Sequence, residues 1–212
     1  RVETVPNGFN IPWTRVPDLR SVERALKRPL PHDYAVMVAN MRAYKGHDVA
    51  VRAWRLLQDR SDLTLVFVGD GPDFDAVQAM AQREGVSDRT LFCGYQSRET
   101  VLGIVAHSTM VVAPSRSEGQ GLFALEAGAL TRPLVCTNIP VLTETVENGV
   151  SGLTVPPDDP RALADAVLRL EADAQLRRRL GTKLKERVNH ELSLERMAER
   201  YLGLYSSASI TR

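Results

Sequence analysis

The stretch Leu63-Thr-Leu-Val-Phe-Val68 is followed directly by Gly69-Asp-Gly-Pro72 and then by a segment of helical character. The first six residues form a short apolar run, which is typical of a strand that is buried on both faces. Pro72 suits the first turn of a helix, and Gly85 suits the residue that follows its last turn. The stretch therefore predicts a strand, a tight glycine-rich turn and a helix over residues 72–84.

Short apolar runs alternate with helical segments along the rest of the chain. The predicted strands lie at residues 2–5, 34–39, 63–68, 90–93, 110–113, 133–136 and 152–155. The further predicted helices lie at residues 47–58, 99–107, 122–130, 160–170, 172–189 and 193–205. Strands that alternate with helices at this spacing predict βαβ units, and hence an α/β, Rossmann-like parallel sheet with helices on both faces. In such sheets, ligands bind beyond the carboxyl ends of the strands.

The composition excludes several classes of protein. The chain has 212 residues, of which 43% are hydrophobic, and a formal net charge of +1, so it can bury a sizeable core and lacks the basic excess typical of nucleic-acid binding. The basic run at residues 177–185 is interpreted as a solvated helix face, with contact to a membrane surface as the weaker alternative. Cys93 and Cys136 are interpreted as small buried side chains in a reducing compartment. The four histidines show no metal-ligand spacing, so no metal is predicted.

The loop after the strand at 110–113 carries the strongest signal of a binding site. Residues 115–129 read SRSEGQGLFALEAGA, with Glu118 in the loop and Glu126 in the following helix. Gly119 and Gly121 permit a ligand to approach the backbone, and the N–H groups at the helix N-terminus suit a phosphate. Those N–H groups belong to Gln120, Gly121 and Leu122. Because carboxylates accept hydrogen bonds from hydroxyls, the pattern favours a phosphate flanked by a sugar and a ribose; the alternative is that both carboxylates face water.

Two further loops follow predicted strands. Lys45 and Arg42 lie after the strand at 34–39, where a lysine can reach a phosphate; the alternative is that both are ordinary surface cations. The turn at residues 69–71 is similar to a dinucleotide fingerprint, but Phe74 occupies the place of its third glycine. A nicotinamide-binding site is therefore disfavoured, and a tight turn lining a nucleotide pocket is the better interpretation.

Seven blocks, in this order, resemble the donor-binding C-terminal half of GT-B glycosyltransferases, specifically the retaining family 4. They are VPNG at 5–8, KGH at 45–47, VFVGDGP at 66–72, FCGY at 92–95, APSRSEGQGLFALEA at 113–127, RPLV at 132–135 and ETVENGVSGLTVPP at 144–157. Within the fifth block, Glu118 and Glu126 form the E-x7-E element of that family.

The resemblance implies roles for individual residues. Glu118 would bind hydroxyls of the donor hexose, Lys45 would neutralise the departing diphosphate, and Glu126 would accept hydrogen bonds from the ribose. Asn40 departs from the pattern, because many relatives have an arginine there. The other expected donor-binding residues, besides Asn40, are Gly8, Arg42, Gly69, Asp70, Gly71, Gly94, Tyr95, Gly119, Gln120, Gly121 and Leu122.

The resemblance also implies an organisation and an activity. Residues 1–212 would be a single donor-binding domain, one half of a GT-B fold, without the N-terminal acceptor domain. The whole enzyme would move a hexosyl group from a nucleotide sugar, UDP- or GDP-linked, to an acceptor hydroxyl with retention of configuration and without a further cofactor. The isolated domain is expected to bind the donor but to transfer little, in the cytoplasm or peripherally at the inner face of the membrane. The alternatives are a non-catalytic nucleotide-sugar-binding scaffold and a nucleotide-sugar epimerase or hydrolase of the same fold.

Overall fold

A six-stranded parallel sheet forms the centre of the molecule. The structure, a computed structural model, describes Val5, Gly8 and residues 16–209, with side chains through residue 206. The sheet order is β3-β2-β1-β4-β5-β6, and every neighbouring pair is parallel. The strands are β1 (Tyr34–Val38), β2 (Thr64–Val68), β3 (Thr90–Phe92), β4 (Met110–Ala113), β5 (Leu134–Thr137) and β6 (Leu153–Val155). These six predictions are confirmed, whereas the strand predicted at 2–5 falls on residues of which only Val5 is described.

Helices cover both faces of the sheet. They are α1 (Leu19–Leu26), α2 (His47–Leu56), α3 (Phe74–Arg83), α4 (Arg98–His107), α5 (Leu122–Ala129), α6 (Pro140–Thr143), α7 (Pro160–Ala172), α8 (Ala174–Glu191) and α9 (Leu194–Ser209). Neither α1 nor the single turn α6 is among the helices predicted from the sequence. Within residues 16–209, no helix has the length and apolarity needed to cross a membrane. The expected α/β, Rossmann-like architecture is confirmed.

The apolar run of β2 supplies both layers of the core. Leu65 and Phe67 pack with residues of α2, α3 and α7, whereas Val66 and Val68 pack with residues of α4 and α5. Successive side chains of a strand point to opposite faces, so a strand covered on both sides needs apolar residues at consecutive positions. This explains why the run alone was a reliable indication of a parallel sheet.

The turn after β2 is longer than the sequence predicts. Pro72 precedes α3 instead of opening it, because the N–H of Asp73 donates to the carbonyl of Met41 at 3.2 Å and holds the segment against the loop after β1. Gly85 follows the last turn of α3 with φ +69°, as expected for a glycine stop.

The two cysteines differ in burial. Cys136 on β5 is fully buried, as expected, and burial raises the pKa of its thiol to about 12. Cys93 is only half-buried, because it follows the edge strand β3, although burial still raises the pKa of its thiol to about 11. Both thiols are free.

Candidate functional site

The strand order creates a crevice between β1 and β4. From β1 the chain proceeds outward to β2 and β3, and it then returns to place β4, β5 and β6 on the other side. The loops that leave two such central strands diverge, and ligands of doubly wound sheets bind in the opening between them. Here the two loops are residues 39–46 after β1 and residues 114–121 after β4.

Lys45 and Glu118 join these two loops. The Nζ atom of Lys45 lies 2.8 Å and 2.7 Å from the two carboxylate oxygens of Glu118, and the Ser115 hydroxyl donates to the same carboxylate at 2.7 Å. The side chains of Lys45 and Glu118 are only 16% and 6% exposed. A charge-assisted pair at this burial is strong and holds an ammonium group and a carboxylate at the centre of the crevice.

The N-terminus of α5 lies on the same loop as Glu118. Gly121 precedes the helix with φ +73°, and a Cβ atom there would approach a Leu142 methyl carbon to 2.5 Å. Leu122 opens the helix, so the first N–H groups have no partner within the helix and carry its positive end. Gly119 is exposed, and a Cβ atom at that position would meet nothing within 4 Å. The segment 119–122 is therefore suited to an anion.

Glu126 lies one turn into α5 and is half-buried. Burial raises the pKa of its carboxyl group, while the positive charge of Arg98 opposes that rise. A partly buried carboxylate is stabilised by hydrogen-bond donors, and hydroxyl groups of a ligand can supply them.

A cavity of about 700 Å³ adjoins the crevice over β1 and β2. Apolar atoms of Val38, Val68 and Val101 contribute to its walls, and Tyr95, 82% exposed, stands at the loop after β3. The expected site residues that line it are Asn40, Gly69, Asp70, Gly71 and Tyr95. Among the described residues, no group of three or more His, Cys, Asp or Glu side chains could hold a metal ion.

Glycine is required at residues 69 and 71 because the loop after β2 approaches the backbone of the loop after β1 closely. A Cβ atom on Gly69 would lie 2.0 Å from the carbonyl oxygen of Ala39, and one on Gly71 would lie 2.3 Å from Oδ1 of Asn40. The N–H of Gly69 also donates to the carbonyl of Gly94 at 2.9 Å. The loops after β1, β2 and β3 are therefore bound into one wall of the cavity.

The structure places two expected site residues elsewhere. Arg42 lines a different cavity, of about 620 Å³, together with Arg83 of α3, because it lies on the side of the 3-10 turn Ala43–Lys45 that faces α3. Gly8 lies against α9, where its N–H donates to Sδ of Met197 at 3.1 Å. Neither residue is among those that line the cavity over β1 and β2.

Arg116 is a positioning residue that the sequence analysis missed. Its main-chain N–H donates to the carbonyl of Tyr44 at 2.7 Å, and its guanidinium donates to the carbonyl of Ala43. The same guanidinium binds both carboxylate oxygens of Asp48 at 2.9 Å and Asp158 at 2.7 Å. Burial tends to raise the pKa of Asp48, but the contact with Arg116 outweighs it and the pKa is lowered. No sequence signal connects these residues, because they are separated by 42 to 73 positions.

Replacing Arg116 by lysine is expected to weaken ligand binding in the crevice about tenfold. A lysine keeps the charge but lacks the planar fork that binds two carboxylates and a carbonyl at once, so the turn that carries Lys45 would loosen. Arg52→Lys is the matched control, since Arg52 also pairs with Asp48 but at 3.3 Å and from an exposed position. Equal affinities of the two variants for inorganic diphosphate, measured by calorimetry, would contradict this role.

His47 is buried directly behind the Lys45 turn. It is 3% exposed, its ring lies 5.5 Å from that of Phe67, and neither ring nitrogen has a hydrogen-bond partner among the described residues. Burial lowers the pKa of this imidazole to about 4. The native protein therefore holds His47 in the neutral form.

The protein is expected to lose roughly 3 kcal/mol of stability through His47 as the pH falls from about 6.5 to about 4. Between these pH values His47 is protonated in the unfolded chain but neutral in the folded chain. Lowering the pH therefore favours the unfolded state. Urea denaturation at pH 7 and pH 4.5 measures the change. His47→Phe should flatten the dependence, whereas the exposed His190→Gln should leave it as it is.

Known proteins resemble the chain in sequence and in fold. A D-inositol 3-phosphate glycosyltransferase from Acidothermus cellulolyticus is 31% identical, over 100% of this chain and 49% of the relative. A sucrose-phosphate synthase from Thermosynechococcus elongatus is 27% identical with a TM-score of 0.82, over 98% of this chain and 53% of that one. HepE from Anabaena, solved in complex with UDP, has the same fold at 20% identity, with a TM-score of 0.79 over 90% of this chain and 52% of that one.

The matched relatives are longer than the chain. It spans about half of the length of the curated relatives it matches, between 44% and 49% of the first three. The profile of the family described as Glycosyl transferases group 1 matches residues 21–187, which include all six strands and the crevice loops. The chain therefore belongs to the group 1 glycosyltransferase family.

Proposed function

We propose that the chain is the donor-binding C-terminal domain of a retaining, GT-B family 4 glycosyltransferase, and that the crevice between β1 and β4 binds a nucleoside diphosphate sugar. The observation that carries this proposal is the contact between Lys45 and Glu118, next to the N-terminus of α5. It brings a cation, main-chain donors and a carboxylate to one place. These are the groups that a diphosphate and a sugar hydroxyl require.

The donor would extend across the crevice in a defined direction. The base enters the cavity of about 700 Å³, where apolar walls and Tyr95 offer contact area. The ribose hydroxyls donate to Glu126, the diphosphate lies against residues 119–122, and Lys45 exchanges its contact with Glu118 for one with a phosphate oxygen. Glu118 is then available to the hydroxyls of the hexose.

The reaction transfers the sugar from phosphate to an acceptor hydroxyl. The bond between the anomeric carbon and the terminal phosphate oxygen breaks, the acceptor oxygen bonds to that carbon, and the acceptor proton is released. Negative charge develops on the leaving diphosphate, where Lys45 and the positive end of α5 stabilise it. The positive end of α5 is in place before the donor binds, whereas Lys45 must first exchange its contact with Glu118 for one with the diphosphate.

The acceptor would bind outside this chain. The chain spans about half of its relatives' length, which supports an acceptor-binding domain in the remaining half. Transfer would then occur between the two domains, and the chain by itself would bind the donor with little transfer. Substantial transfer to a purified acceptor by the isolated chain would contradict this division.

A thermal-shift screen with UDP, GDP, ADP and their sugars tests the proposal. A ligand that binds only the folded state raises the melting temperature, by an amount that grows with concentration above Kd. We expect UDP or GDP to stabilise the chain more than the corresponding nucleoside, and we favour UDP because HepE was solved with it. No shift with any nucleotide would contradict donor binding.

Asn40 favours a second candidate function, a scaffold that binds a nucleotide sugar without transferring it. The resemblance to the family implies an arginine at this position of the diphosphate site. Asn40 instead lies on the cavity wall, with Oδ1 close to Gly71. The transfer rate of the full-length protein separates the two functions. Lys45→Ala should lower it if the site is catalytic, whereas a scaffold has no rate to lower.

Glu126→Gln is expected to weaken binding of the nucleoside diphosphate about tenfold, since a hydrogen bond to a charged acceptor contributes roughly 1.5–3 kcal/mol. Omitting the ribose 2′-hydroxyl from the ligand should weaken binding to the native chain but hardly alter binding to the variant. Because burial raises the pKa of Glu126, removing its charge should also raise the melting temperature of the unliganded protein at pH 7. Glu99→Gln, at an exposed position, is the control and should change neither the nucleotide affinity nor the melting temperature. If omitting the 2′-hydroxyl weakened binding equally in the native chain and in Glu126→Gln, the ribose role would be contradicted.

A further inference from the structure

A separate cavity lies at the opposite edge of the sheet. Its volume is about 520 Å³, and it opens at the amino ends of β1, β4 and β5, with α8 as its outer wall. We name it the amino-edge cavity. The residues that define it are Asp33, Thr109, Arg132, Arg177, Arg178 and Thr182. The donor crevice lies at the carboxyl ends of the same strands, so the two sites are on opposite edges of the sheet.

The amino-edge cavity has an excess of positive charge. Arg132, Arg177 and Arg178 line it, and among the described residues no carboxylate lies within 4.0 Å of their guanidinium groups. The carboxylate of Asp33 also lines the cavity. Its Oδ2 contacts Nδ1 of His32 at 2.7 Å, and its Oδ1 accepts a bond of 3.4 Å from Thr109. Three guanidinium groups against one carboxylate make the cavity attractive to an anion.

Arg132 is partly buried without a counter-charge. One of its terminal nitrogens donates to the carbonyl of Ser108 at 2.9 Å, but its Nε is buried and has no partner among the described residues. Burial lowers the pKa of this guanidinium, which means that the folded protein holds the charge at a cost. A buried charge that lacks a partner is unfavourable, and an anion in the cavity would compensate it.

The walls of the cavity are held in place by close packing. Gly181 of α8 packs on Thr131, and a Cβ atom on Gly181 would lie 2.4 Å from the carbonyl oxygen of Thr131. Thr131 itself has φ +59°. A threonine in this left-handed region is unusual and costs free energy. Arg177 donates to the carbonyls of Leu170 and Glu171 at 2.5 Å and 2.7 Å, which fixes its position. Arg177 and the backbone at Thr131 are therefore held in place, whereas Arg178 is exposed.

We propose that the amino-edge cavity binds a phosphate group, either of a small phosphorylated molecule or of a lipid headgroup, independently of the donor crevice. Guanidinium forks match the oxygens of a phosphate, and the hydroxyl group of Thr182 can donate to the same anion. Arg178 and Thr182 lie one turn apart on α8 and both face the cavity. Arg178 is exposed, and no ion pair joins its guanidinium to another described residue, so it is available to the ligand.

Titration with inorganic phosphate, followed by the amide NMR signals of the chain, tests the proposal. The donor crevice is first saturated with the nucleotide that binds best, so that phosphate cannot bind there. The signals of residues 119–122 then report whether phosphate displaces the nucleotide. We expect saturable shifts at Thr109, Thr131 and Thr182. Arg178→Gln should weaken this binding about tenfold through loss of a charge-assisted contact. Arg179→Gln is the matched control, because Arg179 is its exposed neighbour on α8 and does not line the cavity.

The result that would overturn the proposal is equal weakening in the two variants, or shifts that do not saturate or that occur only at the donor crevice. If no nucleotide binds, the proposal of a donor site fails. The phosphate titration still tests the amino-edge cavity, through the signals of Thr109, Thr131 and Thr182. Sedimentation with phosphatidylglycerol vesicles identifies the source. Binding that Arg178→Gln weakens and Arg179→Gln preserves indicates a lipid headgroup, whereas saturable phosphate binding without vesicle binding indicates a small phosphorylated molecule.

Discussion

Replacing Lys45 by alanine is expected to weaken binding of a nucleoside diphosphate roughly 100-fold, while the affinity for the nucleoside alone changes little. Truncating one partner of a buried, hydrogen-bonded charge pair costs about 2–5 kcal/mol, and 2.7 kcal/mol corresponds to about 100-fold. Lys45 is the cation that reaches Glu118 in the centre of the crevice, and its ammonium group is the expected counter-charge of the diphosphate. Isothermal titration calorimetry with both ligands measures the difference.

Two control variants separate binding from folding. Lys45→Ala leaves the 6% exposed carboxylate of Glu118 with Ser115 as its remaining partner, which also destabilises the fold. Adding Glu118→Gln should restore stability without restoring affinity for the diphosphate. Lys183→Ala, at an exposed position on α8, should change neither property. A diphosphate affinity that survives Lys45→Ala would exclude Lys45 from the site.

Replacing Gly46 by alanine is expected to destabilise the fold by roughly 3 kcal/mol and to weaken binding of the nucleotide as well. Gly46 has φ +77°, and a Cβ atom there would lie 2.0 Å from the carbonyl oxygen of Pro114. The left-handed conformation costs about 1–2 kcal/mol for a residue with a side chain, and forced overpacking adds about 1–3 kcal/mol. Since Pro114 precedes Ser115, the clash would also separate Lys45 from Glu118.

Gly85→Ala is the matched control for this prediction. Gly85 has nearly the same backbone conformation, φ +69°, but a Cβ atom there meets nothing within 4 Å. Gly85→Ala should lower the free energy of unfolding only by the conformational cost of about 1–2 kcal/mol and should leave the nucleotide affinity unchanged. Urea denaturation and calorimetry on both variants provide the comparison; equal losses of stability would mean that the close approach to Pro114 is not what matters.

The sheet could be predicted from the sequence because its strands are buried on both faces. In β2, consecutive apolar residues serve the two core layers, so the run is visible without any knowledge of its neighbours. The segment at residues 115–129 was recognisable for a similar reason, since its glycines and its two carboxylates, Glu118 and Glu126, are close together in sequence. By contrast, α6 is a single turn and has too few residues to show a period.

Contacts between distant segments could not be predicted in the same way. Lys45 and Glu118 are 73 positions apart, and their pairing follows from the adjacency of β1 and β4, which a list of strands does not determine. Arg116 depends on the same adjacency. The sequence favours one solvated face for the run at residues 177–179, yet its three arginines differ. Arg177 binds carbonyls and lines the amino-edge cavity, Arg178 also lines that cavity, and Arg179 faces solvent.

The most direct test of the central claim is a crystal structure of the chain with the nucleoside diphosphate that stabilises it most. The diphosphate should lie within hydrogen-bond distance of Lys45 Nζ and against the N-terminus of α5, with the ribose at Glu126 and the base beside Tyr95. The contact between Lys45 and Glu118 should be broken or shared. A nucleotide bound instead in the cavity lined by Arg42 and Arg83, with the Lys45–Glu118 contact unchanged, would contradict the account.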